Sequence, residues 1–420
     1  MIAASEIALE DRVLGEVPEM GRLLIEWASV NSGSYHEEGL LRMLGLLERD
    51  FARLPVDIER VLCPGSGGAD EENDFPRYAL RVRPRHVGSD EKPILLNGHY
   101  DTVYGPEHAF QKVEVVSEDR LRGPGVTDMK GGLVVMLSAL KILESSELAG
   151  RVPWEVLITP DEEIGSAASD PLLRDAAQRC CFGLVYESAY LDGGFVRTRK
   201  GSGVYKLVAR GRSAHVGRNY EEGRNAILGL AQISQWLQHV AKELGLILNV
   251  GRFEANAPLN VVPDVATSWW NMRASDPEAF AEFESVLDSL VDEKHSGMAE
   301  DVEFSWSRGI VRPPKIVDPA TQNLYDAVER VAAESGLPVS WRDTGGGSDG
   351  SNLAAYGLPN IDNLGVRGGA IHSEDEFVEL ASLPERVGLT LEIFRAVAEG
   401  RFFQKPKVTF PSSSYGLRKH

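Results

Sequence analysis

Leu95-Leu96-Asn97-Gly98-His99-Tyr100-Asp101-Thr102-Val103 carries an apolar run into a histidine, with an aspartate two residues beyond it. A short apolar run bounded by turn residues reads as a buried strand, here Ile94 to Asn97. Residues two apart on a strand share a face. The Asp101 carboxylate can therefore accept the second N–H of the His99 ring, which fixes the tautomer and strengthens His99 as a ligand. The pattern recurs downstream. Trp154 to Thr159 is a second apolar run and leads to the acid pair Glu162-Glu163. Phe182 to Tyr186 is a third and leads to Glu187. Between the first two, Gly125-Val126-Thr127-Asp128-Met129-Lys130-Gly131-Gly132 opens an apolar stretch, Lys130 to Leu143, that reads as a buried helix. Strands alternating with helices predict an α/β domain around a central, mostly parallel sheet. Ligand-binding groups of such sheets collect at the carboxyl ends of the strands.

Upstream, apolar residues at three- and four-residue spacing predict helices over Val13 to Trp27 and Glu37 to Phe51. Pro64 to Asp74 reads as an exposed loop, and Tyr78 to Val82 as a strand. The pattern changes after residue 200. Strand-like runs at Val204 to Arg210, Leu246 to Phe253, Val265 to Met272 and Val302 to Trp306 interleave with helices at Asn225 to Leu244 and Pro277 to Val291. The order β-α-β-β-α-β is a split βαβ, ferredoxin-like arrangement. It predicts a domain over 201–312, closed by Pro313-Pro314 and inserted into a catalytic domain formed by 1–200 and 313–401. Helices at Thr321 to Glu334 and Leu383 to Ala398 resume the first pattern, and 402–420 reads as a tail.

The chain has 420 residues, 43% hydrophobic and 25% charged, which suits about two globular domains. The net charge, 44 − 63 = −19, argues against nucleic acid and anionic membrane as partners. The most apolar stretch, Leu133 to Leu143, is shorter than the ~20 residues that a bilayer requires. The N-terminus lacks the basic-then-apolar pattern of a signal peptide. The three cysteines are an odd number without paired spacing, and adjacent Cys180 and Cys181 read as buried apolar residues. These features predict a reducing, cytoplasmic setting.

Zinc takes imidazole nitrogen and carboxylate oxygen, and a catalytic site leaves room for water. Two ions can share a bridging carboxylate. His99, Asp128, Glu163, Glu187 and His372 supply five ligands of the right kinds. Taken singly, Asp128 reads as a helix cap and Glu162-Glu163 as a solvated turn; the argument is their co-occurrence. Neighbouring side chains on an extended backbone point apart, so one glutamate of the pair can hold metal while the other meets water.

This series resembles the dinuclear zinc carboxypeptidase and deacylase family, which includes glutamate carboxypeptidase, succinyl-diaminopimelate desuccinylase, acetylornithine deacetylase and aminoacylase. The resemblance implies that His99, Asp128 and Glu187 hold one zinc and that Asp128, Glu163 and His372 hold the other, with Asp128 bridging. Sites of this kind also accept Co²⁺ or Mn²⁺. It implies Glu162 as general base, Asp101 as partner of His99, and a cis Asp128-Met129 bond. It further implies that His215, in Gly211-Arg212-Ser213-Ala214-His215-Val216-Gly217, serves the active site of the other subunit of a homodimer through the inserted domain. Asn260 and Arg273 match substrate-binding positions. The run Gly345-Gly346-Gly347-Ser348-Asp349-Gly350 fits the letters of a dinucleotide fingerprint, but it lies late in the chain and not after a first strand. The resemblance makes it a turn whose backbone N–H groups, at Gly346, Gly347 and Ser348, meet a substrate carboxylate. The implied reaction is hydrolysis of an amide beside a free carboxylate in a small amino acid or dipeptide-like substrate, closest in wording to the glutamate-carboxypeptidase branch. An N-acyl amino acid deacylase is the alternative. A non-catalytic binding homologue would be expected to have lost a ligand or the base. An aminopeptidase with a similar centre is disfavoured by the inserted domain with His215.

Overall fold

A computed structural model of the protein describes residues 9–64, 75–85, 91–292, 301–337 and 339–403. Most of the Pro64–Asp74 loop and the tail beyond Phe403 lie outside the described residues.

The α/β expectation holds. Six strands form one sheet in the order Val56–Leu62, Tyr78–Pro84, Trp154–Thr159, Ile94–His99, Phe182–Val185 and Asn360–Ile361. The last four run parallel; the first two pair antiparallel at one edge. Ile94–His99 and Trp154–Thr159 are buried throughout, so both faces are covered, as parallel strands require. Their alternation shows in the packing. Leu96, Val156 and Ile158 join the large core, which also holds residues of helices Leu9–Ala28, Lys130–Glu144 and Ser382–Ala398. Leu95 and Leu157 join a smaller core on the other face, which includes residues of helices Asp170–Arg179 and Asp349–Ala355. Because the four central strands are parallel, their carboxyl ends share one edge, and His99, Asp161, Glu187 and Asp362 follow there.

Between Gly201 and Arg312 lies a second sheet of four strands in the order Ile247–Glu254, Val265–Ala274, Gly201–Arg210 and Glu303–Arg312, all antiparallel. With helices Ala226–Glu243 and Pro277–Asp292 this is the ferredoxin-like order. Burial alternates strictly along Gly201–Arg210 and Val265–Ala274, so one face is covered by the helices and the other is open. Tyr205, Leu207, Trp270, Phe283 and Leu287 belong to its own apolar cluster.

The sequence reading missed Val56–Leu62 and a small sheet ordered Gly368–Gly369, Phe377–Glu379, Arg120–Arg122 and Glu114–Ser117. Strands of two to four residues are too short to show a period. Cys180 is buried, but Cys181 is exposed, contrary to expectation. Phe402, assigned to the tail, is buried and stacks on Phe182 with ring centroids 5.3 Å apart. Among the described residues no helix is long and apolar enough to cross a membrane.

Candidate metal centre

Local backbone features aim the histidine and the acidic side chains. His99 is the last residue of its strand. Its Nδ1 lies 3.1 Å from the Asp101 backbone oxygen and 3.2 Å from the Asp101 carboxylate. Asp101 itself is fully buried and accepts hydrogen bonds from Ser34 Oγ at 2.7 Å and from the backbone N–H of Glu162 and of Glu163, each at 3.1 Å. One carboxylate therefore orients the imidazole and pins the acid pair.

Glu162 and Glu163 do not lie in extended backbone as expected. They form a 3₁₀ turn, Glu162–Ile164, closed by Gly165 at φ 99°. Their side chains still diverge. Glu163 Oε2 approaches His372 Nε2 at 3.1 Å, whereas Glu162 Oε2 lies 3.9 Å from His99 Nε2. A Cβ at Gly165 would meet Ile310 Cγ2 at 2.1 Å, so the strand Glu303–Arg312 of the second sheet presses directly on this turn. Two residues on, buried Arg312 reaches Glu162 Oε1 at 2.8 Å, bonds the Glu162 carbonyl, and lies 3.8 Å from Asp349.

Asp128 precedes the helix Lys130–Glu144 through a cis Asp128-Met129 bond. Gly132 lets that helix sit against the strand end near Glu187, since a Cβ there would lie 2.0 Å from the Tyr186 carbonyl oxygen. Asp128 Oδ1 lies 3.3 Å from His99 Nε2, and its Oδ2 lies 3.2 Å from His372 Nε2. Glu187 Oε1 lies 3.7 Å from His99 Nε2. All five predicted ligand residues are thus brought together, and Glu162 stands beside them.

This donor set fits divalent cations. The buried His99 Nε2 has no well-aligned hydrogen-bond partner and faces three carboxylates. Ligand atoms of His99, Asp128 and Glu163, and again of His99, Glu162 and Glu187, lie within 4.8 Å of one another. Burial raises Glu162 to about 7, against the pull of Arg312, and raises Glu163 to about 8 with Asp128 adding to the rise. Burial also lifts Glu187 well above the usual carboxylate range. Hydrogen bonds donated to Asp128 and Glu163 raise His372 to about 11. At His99 burial opposes charge, but Asp101 and Asp128 outweigh it and raise the imidazole. Burial likewise opposes charge at Asp128, where the two histidines prevail and lower the carboxyl. Metal binding to such a set of carboxyl and imidazole groups releases the protons they hold.

The centre floors a cavity of about 870 Å³, lined also by Arg199, Arg273, Arg312, Arg342, Gly346 and Gly347. Arg273 donates to the Gly345 carbonyl at 3.2 Å. Ser348 is not among the lining residues: it is fully buried, caps helix Asp349–Ala355 through Gly350 N–H, and donates to Asp362 at 2.7 Å. His215 and Asn260 are exposed and are not lining residues of this chain's cavity. The Val216 N–H bonds the Asn260 carbonyl, which joins their two loops.

Arg312, Glu376 and the Arg199–Asp362 pair escaped the sequence reading. Arg312 adjoins Pro313-Pro314, which read only as a boundary, and Glu376 precedes a strand of three residues. Arg199 binds Asp362 through two nitrogens, at 2.7 and 3.0 Å, and holds the carbonyls of Gly346 and Gly347 at 3.1 and 3.3 Å.

Residues 95–396 match the sequence profile of peptidase family M20/M25/M40. The chain is 26% identical over 391 residues to carboxypeptidase G2 of Pseudomonas sp. (strain RS-16), covering 92% of this chain and 91% of that protein. It is 27% identical over 350 residues to a succinyl-diaminopimelate desuccinylase of Methylobacterium radiotolerans, covering 78% and 84%. In fold it is similar to the aminopeptidase PepT of Bacillus cereus, with a TM-score of 0.70 and 22% identity, covering 93% of this chain and 99% of that one. That coverage corrects one expectation: the inserted unit does not separate this fold from that of an aminopeptidase.

Proposed function

We propose, because this chain belongs to peptidase family M20/M25/M40 and is therefore a hydrolase, that it cleaves an amide bond beside a free carboxylate as a C-terminal exopeptidase. The observation that carries the reading is Asp128 held between two histidines, one on each carboxylate oxygen, at the floor of an arginine-lined cavity. We assign His99, Asp128 and Glu187 to one zinc and Asp128, Glu163 and His372 to a second, with Co²⁺ or Mn²⁺ able to substitute. Bound zinc would polarise the scissile carbonyl and lower the pKa of water from 15.7 towards ~7. Glu162 is the general base: it takes the proton of the attacking water and returns it to the leaving amine. Arg312 holds one oxygen of that carboxylate, leaving the other for the proton. Arg273 and the backbone N–H groups of Gly346 and Gly347, which line the cavity, take the substrate carboxylate, and buried Ser348 drops out of that role; the planar guanidinium suits two oxygens.

His215 and Asn260, exposed and outside their own cavity, fit a role in the cavity of a partner in a homodimer. There His215 would bind the oxygen that becomes negative in the tetrahedral intermediate. The domain boundaries that go with this reading are 1–200 with 313–401, and 201–312.

The similarity to succinyl-diaminopimelate desuccinylase supports a second reading, an N-acyl amino acid deacylase. Zinc-loaded protein assayed on N-acyl amino acids, on dipeptides, and on peptides blocked at one end or the other separates these. Cleavage of N-blocked, C-free substrates supports the proposal. A requirement for a free amine, with indifference to the C-terminus, would make the enzyme an aminopeptidase.

A further inference from the structure

We infer that Glu376 is a positioning residue that sets the aim of Asp128 by tying together the three loops that carry His99, Asp128 and His372. The inference rests on the reading of those three as metal ligands. Glu376 is 1% exposed and lies four residues after His372. Its Oε1 accepts the backbone N–H of Thr127 at 2.9 Å and of Asp128 at 3.1 Å. Its Oε2 accepts the Gly125 N–H at 3.2 Å and lies 3.0 Å from the Tyr104 hydroxyl. Tyr104 follows Asp101 in the loop that leaves His99, and its hydroxyl is also 2.8 Å from the Ser373 carbonyl. The Glu376 main chain adds a fourth tie, because its carbonyl accepts the Gly123 N–H at 3.1 Å.

The chemistry of this carboxylate differs from that of its acidic neighbours. Two carboxylate oxygens offer about four lone-pair sites; three backbone N–H groups take three of them, and the Tyr104 hydroxyl, whose one proton is shared with the Ser373 carbonyl, stands at the fourth. Buried and engaged in this way, and not among the residues that line the cavity, Glu376 acts on the loops and not on a ligand. Among the described residues no cation forms a salt bridge with it; N–H and O–H dipoles meet the carboxylate directly, and the charge of buried Lys130 acts on it from further off. The three N–H dipoles belong to the loop whose Asp128 puts one oxygen toward His99 and the other toward His372, at 3.3 and 3.2 Å. A small rotation of the Asp128 backbone would shorten one of these approaches and lengthen the other. Groups that orient ligands commonly change metal affinity by 10–100-fold when removed.

The test is a Co²⁺ titration of metal-free protein followed by visible absorption, beside thermal unfolding of the same samples. The variants are Glu376→Ala, Glu376→Gln and, as a stability control, Leu44→Ala. Leu44 is fully buried in the large core, on helix Glu37–Phe51. The inference expects Glu376→Ala to bind Co²⁺ about 10–100-fold more weakly with an altered absorption band. Glu376→Gln should fall between Glu376→Ala and the unsubstituted protein, because its amide keeps one acceptor and turns a donor toward backbone donors. Leu44→Ala should lower the unfolding midpoint and leave the Co²⁺ affinity and spectrum unchanged. Affinity within about two-fold of the unsubstituted protein, with an unchanged band, in Glu376→Ala would overturn the inference. If Glu376→Ala does not fold, Glu376→Gln decides by the same criterion. Failure of the unsubstituted protein to bind Co²⁺ would instead overturn the metal-centre reading from which the inference starts.

Discussion

Replacing Asp362 by Asn removes the carboxylate charge that buried Arg199 and Lys315 share. Asp362 is fully buried; it binds Arg199 at 2.7 and 3.0 Å, accepts Ser348 Oγ at 2.7 Å and lies 3.8 Å from the buried Lys315 Nζ. Asparagine keeps the shape but turns an NH₂ toward donors. Removing one partner of a buried pair costs about 3–5 kcal/mol, because a charge is left uncompensated. At ~2.1 cal/mol/K per residue, a chain of this length unfolds with an entropy of roughly 0.9 kcal/mol/K. The midpoint should therefore fall by about 3–6 °C. The acid arm gives an independent figure. Burial opposes the charge of Asp362, but Arg199 and Lys315 outweigh it and hold the carboxyl at about 2. Against an ordinary value near 3.9, this is worth roughly 2–3 kcal/mol. A lowered carboxylate stabilises fully above its unfolded pKa, so the contribution is complete above about pH 4 and fades as pH falls through 2. Thermal unfolding in EDTA, which removes metal linkage, at pH 7 and at steps below pH 4 measures both. A midpoint change under about 1 °C at neutral pH would refute the reasoning, as would a difference between Asp362→Asn and the unsubstituted protein that does not shrink in acid.

Glu162→Gln should keep its metal while turnover falls by about 10²–10⁴-fold, or ~3–5 kcal/mol of barrier; near-normal turnover in metal-loaded variant would remove Glu162 from the role of base. Chelation should abolish activity, zinc should restore it, and metal analysis should approach about two ions per chain, with His99→Ala and His372→Ala each losing metal; protein that stays metal-free in excess zinc would sink the dinuclear assignment. His215→Ala should lose about 10²–10³-fold in turnover. A tagged mixed dimer of His215→Ala with Glu162→Gln should recover about half the activity, since one site is then intact. No recovery in a verified mixed dimer would place His215 in its own chain's chemistry or in none.

The parallel strands were legible because they are apolar on both faces, and each of the expected runs at Ile94, Trp154 and Phe182 is a strand of the sheet. The inserted unit was legible for the opposite reason: one open face gives the alternation seen along Gly201–Arg210. The series of candidate ligands could be read because metal chemistry favours His, Asp and Glu, and the fold brings those five residues together. The supporting groups could not. Arg312, Asp362 and Glu376 act through partners 150, 163 and about 250 residues away in sequence, a pairing that no local period encodes. The turn at Glu162–Ile164 was misread as extended because the chain bends only after Thr159, where the apolar pattern has already ended.

The second sheet is joined to the first part of the molecule by two chain segments, not one. Arg199 and Lys315 pair there, N–H to carbonyl in both directions, at 3.1 and 3.0 Å. A single-chain tether can twist freely, whereas two laced segments resist torsion and bend about one axis, as the leaves of a door hinge do. Just inside that hinge, Ile310 bears on Gly165 and Arg312 grips Glu162. Any swing of the unit would therefore reach the Glu162 carboxylate directly, through one apolar contact and one ion pair.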